Sequence, residues 1–366
     1  MTTTTTAPRP TTTAPVGLLA SFGPNWFATV MGTGIVANAV ATLPLQVPGL
    51  VLAARVVWVL AALLLVVVSA ATAGHWVHHR ERARRHLADP VMAHFYGAPA
   101  MALMTVGAGA LLLGVPVVGH TAAVTLDAVL WSAGTLLGIG TAVVVPFQAF
   151  TRHENAPDSA FGGWLMPVVP PMVSAATGPL LLPHLPAGQP RLTLLVLCAA
   201  LFGLTLVASL VVIGQVWSRL VHHGVGAAAA VPTFWIVLGP LGQSVTAAHT
   251  IALAAPGVLP APYGAGLPVL ALAFGLPMWG FALLWLALAA AITVRTLRAG
   301  LPFSMTWWSF TFPVGTLVTG TSGLADLTGA TVLVVAAVAL YAGLVVAWGV
   351  VAVRTIRGVL DRSLLS

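Results

Sequence analysis

The 366-residue sequence contains no lysine, one cysteine and seven acidic residues, and only 6% of its residues are charged. Each scarcity excludes something. A lone Cys198, set in the apolar run "RLTLLVLCAALFGL", can form no intramolecular disulfide and reads as a packing residue. Seven scattered carboxylates offer no paired acid and base, and there is no Walker loop, no G-x-S-x-G and no HExxH. No hydrolase, kinase or redox constellation is present, so neither an enzyme nor a cofactor is expected. The charge deficit itself is far below the roughly 25% of an ordinary soluble domain. With 59% hydrophobic residues and a mean hydropathy of +1.01, the chain is expected to be a polytopic membrane protein whose main partner is the lipid bilayer.

All fourteen basic residues are arginine and the net charge is +7. Such a balance can signal nucleic acid, but these arginines are confined to short stretches between apolar runs, so no nucleic-acid partner is expected. Apolar runs of about 20 residues are candidate membrane spans. Ten are found, at approximately 19–42, 50–77, 91–116, 121–150, 161–183, 191–219, 230–255, 266–296, 303–323 and 328–355. With ten crossings, Arg9, Arg80, Arg82, Arg84, Arg85, Arg152, Arg219, Arg295, Arg298, Arg354, Arg357 and Arg362 fall on one side and Arg55 and Arg191 on the other. Basic excess marks the cytoplasmic side, so both termini are predicted to be cytoplasmic. Residues 1–16, rich in threonine and proline, are expected to be a disordered tail, 17–358 a single transmembrane domain and 359–366 a short second tail.

The spans alternate in chemistry. Segments two, six and ten are aliphatic and free of proline. The odd-numbered segments carry Pro24; Pro99; Pro167, Pro170 and Pro171; Pro232 and Pro240; and Pro313, with glycine, serine, threonine, asparagine and glutamine around them. Segments four and eight, with Pro146 and Pro277, blur this contrast. Backbone groups freed by proline are tolerated at membrane depth where protein or water satisfies them. The expected fold is therefore all-α: ten transmembrane helices as five hairpins around a central pore, with kinked odd-numbered helices inside and even-numbered helices facing lipid.

Several ordered motifs then carry a family resemblance: "GPNWFATVMGTGIVA", "DPVMAHFYGAPAMALM", "GGWLMPVVPPMVSAATGPLL", "FWIVLGPLGQS" and "WWSFTFPVGT". Together they resemble the tellurite-resistance/dicarboxylate transporter family of malate permeases, sulfite efflux pumps and slow anion channels, from about Phe22 to Arg357. The resemblance implies a ten-helix bundle around a pore, a homotrimer, and movement of small anions. Where many relatives have His-Pro at the start of segment three, this chain has Asp89-Pro90, and His94 is the nearest substitute.

The resemblance also places an aromatic plug in segment nine. Phe312, directly before Pro313, is the first candidate gate and Phe310, on nearly the opposite helix face, the second. Thr311, between them, and His94 are candidate pore-lining groups. Asn25, Thr29 and Thr33 in segment one, and Gln243 and Ser244 in segment seven, are candidate pore-lining groups; helix–helix hydrogen bonds are their alternative role. The histidines of "HWVHHRERARRH" have no acidic or cysteine partner, so no metal site is expected; the stretch reads as a solvated basic loop near anionic headgroups. Asp127 and Asp326 lie near segment ends, where interface positions are expected. No arginine stands mid-way along an odd segment, which points to weak binding and channel-like passage. The functional expectation is a plasma-membrane carrier or channel for C4-dicarboxylates such as malate or succinate. The alternatives are a sulfite-type inorganic anion exporter and a non-conducting sensor on the same scaffold.

Overall fold

The computed structural model describes residue 19 and residues 21–364. The threonine/proline tail predicted for 1–16, and the last two residues of the second tail, lie outside the described residues. Among the described residues there is no strand. The α-helices are α1 (Phe27–Thr42), α2 (Leu50–His78), α3 (Arg80–Ala88), α4 (Gly97–Gly109), α5 (Val115–Val118), α6 (His120–Thr151), α7 (Pro170–Thr177), α8 (Gln189–His223), α9 (Leu238–Ala254), α10 (Tyr263–Arg298), α11 (Phe312–Thr328) and α12 (Thr331–Leu360). Among the described residues seven helical stretches are long and apolar enough to cross a membrane, five of them single α-helices and two, Met92–Val118 and Ala228–Gly257, running through shorter helical pieces. This is an all-helical membrane protein.

Two kinds of helix alternate. The long helices α2, α6, α8, α10 and α12 run for 29 to 36 residues, or about 44–54 Å at 1.5 Å per residue. Between them lie composite segments in which a 3-10 stretch precedes the α-helix: Pro24–Trp26 before α1, Met92–Tyr96 before α4, Gly162–Leu165 upstream of α7, Ala228–Val237 before α9 and Met305–Phe310 before α11. The prolines expected to kink these segments sit mostly in the first α-helical turn. Pro99 and Pro240 are the third residues of α4 and α9, Pro313 the second of α11, and Pro170 and Pro171 open α7. A first-turn N–H has no intrahelical acceptor anyway, so proline there removes nothing.

The composite segments close into a ring. α1 packs on α4, α4 on α7, α7 on α9, α9 on α11, and α11 back on α1; the five 3-10 stretches touch in the same cyclic order. Each long helix pairs with the composite segment before it and leans on the next one, α12 closing the circle against α1. Burial follows. Every residue of α1 from Phe27 to Val40 is buried, as is every residue of α11 from Phe312 to Ala325. In Ala228–Gly257 78% of the apolar window is buried, whereas in α12 only 17% is.

Tryptophans fasten the outer helices to the ring. The indole N–H of Trp58 in α2 donates to the Val106 carbonyl (3.0 Å), Trp131 in α6 to Ser174 (3.0 Å), Trp285 in α10 to Phe234 (2.9 Å), and Trp348 in α12 to the Thr33 hydroxyl (3.1 Å). α8 uses Thr205 instead, donating to the Val168 carbonyl at 2.8 Å. A buried indole N–H needs an acceptor, and these bonds set the rotation of each outer helix.

The basic stretch departs from expectation. Residues Arg80–Ala88 form the helix α3 rather than a loop, because "RERARRHLA" has good helix formers throughout and buries Ala83, whose carbonyl accepts from the Tyr96 hydroxyl.

Candidate functional site

At the centre of the ring is one narrow cavity to which all five composite segments contribute. Its lining includes Ala28 and Met31 of α1, Phe95 and Met101 of the α4 segment, Met166 and Val169 before α7, Ile236 and Gly239 of the α9 segment, and Met305, Trp308 and Phe312 of the α11 segment. Its free volume is about 20 Å³, room for a single water. No charged side chain lines it. The wall is thioether, aromatic and aliphatic apart from the side chain of Ser309, a largely apolar surface of the kind that excludes water when narrow.

The cavity sits where the inner α-helices begin. Ala28 is the second residue of α1, Val169 the N-cap of α7, Gly239 the second residue of α9 and Phe312 the first of α11. N-terminal turns carry the positive end of the helix dipole. The site therefore offers partial positive charge without a fixed cation, an arrangement suited to admitting an anion and releasing it.

Phe312 is 2% exposed and stands in this wall with Pro313 behind it. Its position depends on close contact between α11 and α1. At Gly32 an added Cβ would lie 2.7 Å from Trp308 Cε3 and would also meet the Thr311 hydroxyl, so only glycine lets the segment that carries Phe312 approach. Thr311 itself donates to the Trp308 carbonyl at 2.6 Å.

Gln243 is 4% exposed, and its Oε1 finds no donor. It follows Gly239 by four residues and so shares its helix face. Gly239 borders the cavity, and a Cβ there would meet nothing within 4 Å. Ser244 is satisfied within α9, donating to the Leu241 carbonyl at 2.8 Å. Further along, the Thr246 and Thr319 hydroxyls lie 2.7 Å apart between α9 and α11.

Other candidates lie off the axis. Phe310 packs edge-on against Trp235 and Trp307 (ring centroids 5.2 and 5.6 Å) and borders an apolar groove with α10 and α12. Thr33 is taken by Trp348, and Thr29 donates to the Trp26 carbonyl at 2.8 Å. Asn25 is half-buried beside Gly23 in the first 3-10 stretch. His94 is buried between the Phe161 and Trp164 rings, its Nδ1 without a partner.

Of the acids expected at interfaces, Asp326 is exposed and pairs with His249 at 3.0 Å. Asp127 is 0% exposed, since α6 turns it toward α4.

Sequence reasoning missed the methionines. Met31, Met101 and Met166 each stand inside a quoted motif and Met305 two residues before one. The lining of the central cavity is mostly apolar, so polar residue types did not point to it.

A family model described as "SLAC1: Voltage-dependent anion channel" matches residues 21–356. The chain belongs to the SLAC1 family. The match spans all five composite segments and four of the long helices, and ends inside the last, α12. Among curated relatives, a sulfite efflux pump of Arthroderma otae is 30% identical over 310 residues, covering 83% of this chain and 82% of that protein. A sulfite efflux pump of Trichophyton rubrum is 29% identical over the same length and coverage. An uncharacterised transporter of Methanocaldococcus jannaschii is 29% identical over 306 residues, covering 82% of this chain and 83% of that one. The SLAC1 family thus supplies the coarse function, anion transport across a membrane, and it is a family of channels and transporters rather than enzymes.

Proposed function

We propose that this SLAC1-family protein is a plasma-membrane exporter or channel for a small inorganic oxyanion of the sulfite type. In this reading the chain crosses the membrane ten times, as five hairpins around a central path gated by Phe312, with both termini cytoplasmic. The homotrimer implied by the family resemblance belongs to the same proposal.

One observation carries the reading: five segments in cyclic contact converge on a single water-sized, uncharged cavity at the N-terminal ends of their helices. A narrow apolar neck resists ions until it widens and wets, and dipole ends favour negative charge. The sulfite efflux relatives, which match over more than four-fifths of their length, support an oxyanion. A C4-dicarboxylate ranks second. It is long and doubly charged, and no arginine stands at the neck to pair with either carboxylate.

The test is flux in proteoliposomes with sulfite, nitrate, chloride, malate and succinate, for wild type, Phe312→Ala and Phe281→Ala. Small-anion flux should rise in Phe312→Ala and stay unchanged in Phe281→Ala, whose ring packs against Trp285 on the outer helix α10. Flux of malate and succinate alone would establish the dicarboxylate reading. Silence of all three proteins toward every anion would favour a sensor.

A further inference from the structure

Asp127 is the one acidic side chain among the described residues that is fully buried. It lies in α6, seven residues after its start, and faces Gly107 of α4 so closely that an added Cβ there would be 2.7 Å from Oδ1. Neither carboxylate oxygen has a hydrogen-bond donor. Three residues beyond Gly107, α4 opens into a π-turn at Ala110–Gly114, which also packs on α6. Such turns recur at functional positions. The neighbourhood is otherwise apolar: Ala110, Leu113, Ala123 and Leu126 form one cluster.

Few groups are available to answer a charge there. The α4 segment carries His94 and Tyr96 only, about three turns from Gly107, and α5 and α7 carry none. On α6 itself His120 lies two turns away, ring to ring with His184 of the adjoining 3-10 stretch at 5.2 Å. α2, which reaches the π-turn, brings Arg55, whose Nε is unpartnered. The single ion pair among the described residues, His249–Asp326, joins α9 and α11. The two charge states of Asp127 therefore make different demands. A neutral acid fits between the helices, whereas a carboxylate requires water or a donor and hence a looser α4–α6 contact.

We propose that Asp127 is a proton-binding site inside the helix bundle, and that its occupancy governs how α6 seats on α4 and so tunes anion passage. α4 contributes Met101 to the axial cavity, so its seating reaches the neck directly. A negative charge one helix away from the axis also opposes an anion there. The proton-bound form is the better conductor. The site itself stands on the α4–α6 geometry; its effect on passage rests on the anion-path reading above.

The experiment joins two readouts on the full-length protein. Infrared difference spectra between acid and alkaline conditions should show a carboxylic C=O stretch that titrates in wild type and in Asp326→Asn but is missing from Asp127→Asn. Nitrate current in liposomes, chosen because nitrate keeps its charge where sulfite titrates, should fall severalfold as pH rises in wild type and stay at the acid level in Asp127→Asn. Gly107→Ala, which keeps the acid and presses a methyl group on it, should shift the midpoint of the band, and it serves if Asp127→Asn does not fold. A band that survives in Asp127→Asn, or fails to titrate in both wild type and Gly107→Ala, overturns the site. An equal fall of current in wild type and Asp127→Asn overturns its link to transport. A titrating band in a protein that passes no anion at all would sink the transport reading and leave the site standing.

Discussion

Phe312 stands in the wall of the central cavity, and one turn beyond Gly239, which borders that cavity, Gln243 is a buried amide whose carbonyl oxygen has no donor. An unpartnered acceptor destabilises a fold, so its presence asks for a use. The amide N–H₂ of the same side chain suits a passing oxyanion. A hydrogen bond to a charged partner contributes about 1.5–3 kcal/mol, so Gln243→Leu should lower oxyanion flux by about tenfold or more. Thermal stability should hold or rise slightly, because the substitution also removes the orphan oxygen. Measuring flux and melting temperature together separates this from a helix-packing role, which would show the reverse: lost stability and unchanged flux.

Among elements, the contact between α1 and α11 is the most exacting. Gly32 receives Trp308 and the Thr311 hydroxyl, and Gly315 receives Ile35 in return, so the two helices interlock through their missing side chains. Small residues let membrane helices approach closely, and packing rather than water drives their association. Gly32→Val should cost about 1–3 kcal/mol through overpacking, read as a lower melting temperature in detergent. It should also displace the gate segment, so the residual folded protein should conduct more than wild type at a matched amount. A variant as stable and as tightly closed as wild type would show that the contact yields without moving the gate. The same logic explains the tryptophan bonds of the outer helices. Each indole meets its acceptor only if the outer helix keeps a single rotation about its axis.

Across the whole molecule, the ten-crossing proposal requires that consecutive composite segments enter from one side. Cysteine-accessibility labelling on a Cys198-free background should find positions near Arg84 and Arg298 cytoplasmic and positions near Gly188 external. Labels near Arg84 and Arg298 on opposite faces would overturn the ten-crossing proposal. Much of the helical layout was legible in one dimension. Hydropathy and the scarcity of charge determine that the chain is a multi-helix membrane protein, because burying an unpaired charge in hydrocarbon is too expensive. The apolar runs place the elements within a few residues, and the ordered motifs are enough to suggest the family. The sequence alone left the side-chain directions undecided. Phe310 and Phe312 are two residues apart and equally aromatic, and only the packing of α11 against α1 turns one to the axis and the other to the outer groove. Gly32 in "VMGTG" serves helix contact, and Met31, Met101, Met166 and Met305 line the central cavity. Asp127, near a segment end in sequence, is buried because α6 presents that face to α4. Composition is a property of each segment, but facing is a property of pairs, and pairs exist only once the chain has closed its ring.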